Sequence, residues 1–288
     1  ICSNNPVSYI AQYLDTAYFE NDAPQHFKDG YSESYLLPQK ATAFEVLKKI
    51  LHDGYIRSGW AFRNGSPTIL GPYSAVCFTE MPLYALKDYA EYRKDKGYYA
   101  TCCGIAFKRE DLYYQGARPV IYGISRAVQD QFIHVHQHPY RYLDEQKCGI
   151  MLSEQYRIVG TELYPKQLIP NAKNIDWTFE REWRWAFQGS RIGVPGFPFL
   201  RCPRHEYFSE IMIIVETMEE LIEIQDFCRA LYDNSMQDPN SIYNKDIFAK
   251  LRFICKETLA YSGKSDVSSL LTVNYQQPVT KLIPNYYP

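Results

Sequence analysis

The sequence predicts an α+β domain, on three observations. Ile211-Met212-Ile213-Ile214-Val215 and several shorter apolar runs mid-chain have the length and β-branched content of strands. Apolar residues at helical spacing lie towards both ends, over 42–53, 218–232 and 245–261. No internal repeat and no sharp linker divides the chain. One domain over 42–262 is therefore expected, between an irregular segment 1–41 and a surface tail 263–288.

Taken in order, Thr42 to Asp53 places Phe44, Val46, Leu47, Ile50 and Leu51 at helical spacing, with Gly54 as the stop. Gly59 to Pro72 is rich in Gly and Pro and reads as a loop. Ala75 to Phe78 is a short strand entering Thr79-Glu80-Met81-Pro82, where Thr79 or Glu80 caps a helix and Pro82 sits in its first turn. Leu83, Leu86 and Ala90 mark that helix's buried side, to about Lys94. Tyr98 to Phe107 and Pro119 to Ile124 read as neighbouring central strands, with Gly104 as a bulge or close approach. The pattern is mixed over 125–175. Thr178 to Phe187 alternates like a strand, and Glu210 to Val215 reads as a buried one. Two helices close the domain, Met218 to Tyr232 with Met218, Leu221, Ile222, Phe227, Cys228 and Leu231 inward, and Lys245 to Tyr261 with Ile247, Phe248, Leu251, Ile254, Cys255 and Leu259 inward.

A net charge of −2 excludes a polycation held to nucleic acid by its overall field. An aromatic content of 16% excludes a disordered solvating chain. No window approaches ~18 uninterrupted apolar residues, so no transmembrane helix is expected. The opening Ile1-Cys2-Ser3-Asn4-Asn5-Pro6 lacks the basic and apolar regions of a signal peptide. The eight cysteines contain no C-x-x-C pair and sit mostly in apolar runs, so they read as reduced core thiols of a cytoplasmic protein.

The most informative segment is Thr178-Phe179-Glu180-Arg181-Glu182-Trp183-Arg184-Trp185-Ala186-Phe187. On a strand, Trp183, Trp185 and Phe187 point towards a core, while Glu180, Glu182 and Arg184 form a row on the other face, about 6.5–7 Å apart. Such a trio can offset a developing positive charge and orient a sugar hydroxyl. The same pattern also suits an outer face meeting water, with Arg184 paired to Glu182. Ser74 to Leu83 passes from strand to helix at a polar pair, a geometry that offers backbone amides to an anionic or carboxamide ligand or is simply a cap. His134-Val135-His136-Gln137-His138 is the one metal-like cluster, and nothing at a recognised ligand spacing completes it. Phosphate-loop, dinucleotide, nucleophile-elbow and zinc-protease signatures are all lacking.

The order of short motifs carries a resemblance. "KKILHDGYI" precedes "AVCFTEMPL", then come "GYYATCCGIAFKRE", "ARPVIYG", "FEREWRWAF" and "SEIMIIV" followed by a helix. This layout, over about residues 42–230, resembles the AbiGi-type abortive phage resistance family, a group that looks like a remote branch of the ADP-ribosyltransferase fold. The resemblance implies a split β-sandwich gripping NAD as substrate, and a bacterial anti-phage role. Glu182, or Glu180, would be the catalytic carboxylate, and Glu180-x-Glu182 is similar to the E-x-E signature of arginine-modifying transferases. Thr79 would correspond to the middle-strand Ser/Thr, and Arg184 would support the site. Glu80, Tyr73, Phe78 and Tyr122 complete the expected NAD contacts. The first-strand Arg or His of such transferases has no convincing equivalent, His26, Arg57 and Arg63 being weak candidates. The expected partners are NAD, a protein or nucleic-acid acceptor, and a cognate toxin, antitoxin or phage-encoded trigger, with no membrane. A non-enzymatic sensor or antitoxin-like protein on the same fold is the alternative, and a nuclease using the histidine cluster is a third.

Overall fold

The computed structural model describes residues 6–10, 41–60, 62–63, 66–67, 69–96, 101–125, 133–134, 142–161, 176–189, 196–259, 274 and 276. Seven strands build one sheet: β1 Pro6–Ile10, β2 Ala75–Thr79, β3 Gly104–Lys108, β4 Arg118–Pro119, β5 Glu182–Ala186, β6 Ile211–Val215 and β7 Leu251–Cys255. Their order is β7-β6-β3-β1-β2-β5-β4. β6 and β7 are parallel, and the other neighbours are antiparallel. Four helices matter to the packing: α1 Ala43–Asp53, α2 Leu83–Asp95, α3 Arg109–Tyr114 and α4 Met218–Gln237. The protein is thus mixed helix and sheet, as the sequence pattern predicts.

Register sorts the strand residues onto two faces. Phe78 lies opposite Trp183, and Phe107 opposite Ile211, which in turn faces Leu251. These residues bury against α1 through Leu47 and Leu51, and against α4 through Leu221, Ile224 and Cys228. Phe107 is the hub, with ring centroids of Phe78, Phe197 and Phe199 at 6.0, 5.5 and 5.9 Å in edge-to-face contact. Each such ring, fully removed from water, contributes roughly 1.5–3 kcal/mol before entropy is counted. On the other face, Ala106, Met212, Ile214 and Ile254 are covered by Leu83 of α2. The β2–β5 half of that second face carries Cys77, Thr79, Glu182 and Arg184.

Helix limits follow their caps. Thr42 and Glu45 form a capping box at α1, and Gly54, at φ 72°, closes it in the left-handed region. Thr217 and Glu220 repeat the box at α4, the crossover between parallel strands β6 and β7.

Several expectations are corrected. The segment 1–41 is not wholly irregular, because Pro6–Ile10 enters the sheet between β2 and β3. The helix expected over 245–261 is a single turn, Lys245–Phe248, then strand β7, then another turn, Lys256–Leu259. Leu251-Arg252-Phe253-Ile254-Cys255 is too short for its apolar residues to settle the period, and parallel pairing with β6 decides for the strand. In α4, Ile222 is 48% exposed and Ile224 takes the buried place. The region 59–72 contains a hairpin, Phe62–Arg63 with Ser66–Pro67. Ala75–Thr79 runs one residue beyond the expected strand, and Pro82, without a side-chain cap, precedes α2. β3 and β4 are not neighbours, since β1, β2 and β5 lie between them. Residues 97–100 and most of the 263–288 tail lie outside the described residues, though the Asn274 carbonyl accepts a hydrogen bond from Gln225 Nε2.

Candidate functional site

The expected strand over 178–187 is shorter, and that changes the candidate trio. Thr178–Glu180 forms a 3-10 turn, Arg181 adopts φ 47°, and β5 begins only at Glu182. Two contacts pin this turn to the end of β2. The Thr79 hydroxyl donates to the Glu180 carbonyl, and the Glu80 N–H donates to the Arg181 carbonyl at 3.0 Å. Glu180 therefore does not share a strand row with Glu182 and Arg184. It stands on the turn leading into them.

Glu182 and Arg184 do share a face. Arg184 Nε donates to Glu182 Oε1 at 2.7 Å and Nη2 to Oε2 at 3.2 Å, a two-pronged grip. Arg184 is 5% exposed, so this face does not meet water there. Its Nη1 donates to the carbonyls of Tyr156 at 2.6 Å and Ile158 at 3.3 Å, which satisfies the buried guanidinium. The Glu182 N–H donates to the Tyr122 hydroxyl at 2.8 Å. Burial pushes Tyr122 up to about 12, with the Glu182 backbone N–H opposing and the Glu182 and Glu180 carboxylates adding to the rise. The phenol thus stays protonated at neutral pH.

The other expected contacts divide. Thr79 lies opposite Glu182 in register and is 2% exposed, and its oxygen also accepts the Met81 N–H at 3.1 Å. Tyr73 packs against the cluster of Trp60, Ile69 and Tyr156. Phe78 is 1% exposed and points into the core on the Trp183 face, away from Glu182. The Glu80 carboxylate is bound by Trp183 Nε1 at 3.1 Å and Arg109 Nη1 at 3.0 Å, with Arg181 Nη2 at 3.6 Å. The structure therefore brings together Glu182, Arg184, Tyr122 and Thr79, sets Glu180 beside them, and leaves Phe78 and Glu80 elsewhere.

Sequence reasoning missed the backbone carbonyls of Tyr156 and Ile158, which no side-chain pattern announces. It also missed Tyr89 of α2, whose ring lies 5.6 Å from Phe179 and whose hydroxyl burial holds above its ordinary range. The His134 segment is a two-residue strand, Ile133–His134, pairing Tyr142–Leu143, and His136 and His138 lie outside the described residues. Among the described residues no group of three His, Cys, Asp or Glu side chains could hold a metal ion. Burial pushes the Cys102 and Cys103 thiols up to about 12, which makes both poor nucleophiles at neutral pH.

Fold and site together define a mixed α/β protein with a buried, two-pronged carboxylate–guanidinium pair on one sheet face. The chain matches no family model, no curated protein and no solved structure. Among the described residues no helix is long and apolar enough to cross a membrane.

Proposed function

We propose that the protein is an NAD-consuming, ADP-ribosyltransferase-like effector of bacterial anti-phage defence, with Glu182 as the catalytic carboxylate. The observation that carries the reading is the Glu182–Arg184 pair, held beside a protonated Tyr122 and preceded by Glu180 on its turn. At the level of fold, the support is the mixed helix and sheet content alone. In this reading the ribose C1′–nicotinamide N bond breaks, and its electron pair leaves with neutral nicotinamide. Glu182 offsets the positive charge that builds on the ribose and accepts a hydrogen bond from its hydroxyl. The acceptor's nucleophile then bonds to C1′ and its proton passes to Glu180 or to water. Incubation with labelled NAD tests this. Nicotinamide release and label transfer that both survive Glu182→Gln unchanged, or that never occur, would sink it.

One observation favours a second reading, a non-enzymatic sensor or antitoxin-like protein. Both Glu182 oxygens already bond Arg184, and the Thr79 hydroxyl is committed to backbone groups. Stoichiometric capture of one partner, equally by wild type and by Glu182→Gln, is the result that reading expects.

A further inference from the structure

We propose that Arg181 is the pivot of a two-state backbone device. In the observed state it is left-handed and keeps Glu180 out of line. In a second, extended state it carries Glu180 into the row of Glu182 and Arg184. The device concerns main-chain geometry and stands apart from the NAD reading.

Among the described residues Arg181 is the one non-glycine residue at positive φ, with φ 47° and ψ 49°. A residue with a Cβ disfavours that region and stays there only when its surroundings hold it. Three hydrogen bonds do so. The Thr79 hydroxyl donates to the Glu180 carbonyl, the Arg181 N–H to the Thr178 carbonyl at 3.2 Å, and the Glu80 N–H to the Arg181 carbonyl at 3.0 Å. The Phe179 ring, 5.6 Å from that of Tyr89, ties the turn to α2.

The bond from Glu80 already belongs to the strand ladder. Glu182 lies opposite Thr79 and Trp183 opposite Phe78, so the next step sets Arg181 opposite Glu80. In antiparallel pairing every second opposed pair exchanges two N–H···O=C bonds. The Phe187 N–H donates to the Ser74 carbonyl at 2.8 Å, which puts Trp185/Val76, Trp183/Phe78 and Arg181/Glu80 in the bonded class. Of the two bonds due at Arg181/Glu80, one is made. The other would join the Arg181 N–H to the Glu80 carbonyl, which takes no backbone N–H among the described residues. Moving that N–H from Thr178 to Glu80, as Arg181 turns to strand dihedrals, completes the pair and extends β5 through Glu180. The side chains suit this change. The Glu80 carboxylate lies on the Trp183 face, bound by Trp183 Nε1, and Arg181 Nη2 is already 3.6 Å from it. Glu180 then shares the face of Glu182, two residues away. The row holds one carboxylate in the left-handed state and two in the extended state, so a cationic or cation-forming substrate meets the second carboxylate there only after the change.

Solution NMR of the Glu180 Cα and Cβ carbon shifts tests the device, with no NAD present. Wild type and Arg181→Gly should give helix-type shifts, because glycine accepts positive φ freely. Arg181→Val should give strand-type shifts and lose the Phe179–Tyr89 ring contact, because a β-branched residue resists the left-handed region. Both variants lack the guanidinium, so the difference between them reports the backbone. Thr79→Val removes the hydroxyl clamp while keeping Arg181, and its Glu180 shifts should move the same way as those of Arg181→Val. Helix-type shifts in Arg181→Val, or in Thr79→Val should Arg181→Val not fold, would overturn the proposal. Strand-type shifts appearing equally in Arg181→Gly would overturn it too.

Discussion

Arg184 holds both carboxylate oxygens of Glu182, at 2.7 and 3.2 Å, while sending its remaining terminal nitrogen to the Tyr156 and Ile158 carbonyls. One side chain thus ties β5 to the end of the Leu152–Arg157 turn and the residue just after it. Removing it strands a mostly buried carboxylate and two carbonyls. Arg184→Met is expected to cost about 3–5 kcal/mol in urea unfolding, the range for breaking one partner of a buried pair. Glu182→Gln/Arg184→Met should cost clearly less than the sum of the single changes, because the second substitution removes the stranded charge. Additive costs would show that the pair is not coupled.

Tyr122→Phe isolates one atom. The ring still fills its half-buried place, but the Glu182 N–H loses its acceptor. An orphaned, largely buried amide costs about 1–3 kcal/mol. If the proposed reaction is correct, kcat should fall more than KM changes, since Tyr122 shapes the backbone carrying Glu182 and its stacking surface is retained. An unchanged unfolding midpoint would show that the hydroxyl contact is not made.

High pH should weaken the fold from about pH 9 upward. Burial pushes the Cys102 and Cys103 thiols from 9.0 to about 12 and Tyr122 from 10.0 to about 12. The folded chain then keeps protons that the unfolded chain gives up, so stability is full below pH 9 and falls as pH climbs towards 12. The slope approaches ~1.4 kcal/mol per pH unit for each buried thiol and is smaller for half-buried Tyr122. Urea midpoints at pH 8, 9.5 and 10.5 should descend, and both thiols should resist alkylation in native protein at pH 8. A flat profile would contradict their burial.

How far the sequence reached depends on what each pattern measures. The helix ending at Gly54 was legible because an amphipathic run and a glycine stop agree. The Glu182/Arg184 face was legible because strand alternation assigns faces directly. Glu180 was misplaced because alternation continues across Arg181, and only the contacts from Thr79 and Glu80 reveal the left-handed residue that breaks it. Leu251–Cys255 was misread because four of its five residues are buried, and a strand covered on both faces shows little alternation. The setting of Arg184 was not legible at all, since it rests on two main-chain carbonyls that any residue could supply.

Gly196→Ala should be among the most damaging small substitutions. A Cβ there would meet the Ile56 carbonyl oxygen at 2.1 Å and Arg57 Cα at 2.8 Å, both backbone, so no side chain can move aside. The strands Tyr55–Arg57 and Gly196–Pro198 must separate, which carries Phe197 out of its contacts with Phe78, Phe107 and Trp185, each at 5.5 Å between ring centroids. The expected loss approaches that of Phe197→Ala, about 3–5 kcal/mol. For a chain of this size that lowers Tm by very roughly 6–20 °C. Gly189→Ala is the control, because its Cβ meets nothing within 4 Å and only its φ of 97° resists, for a cost of about 1–2 kcal/mol. Equal melting temperatures for the two variants would show that the strand pair is not packed this closely.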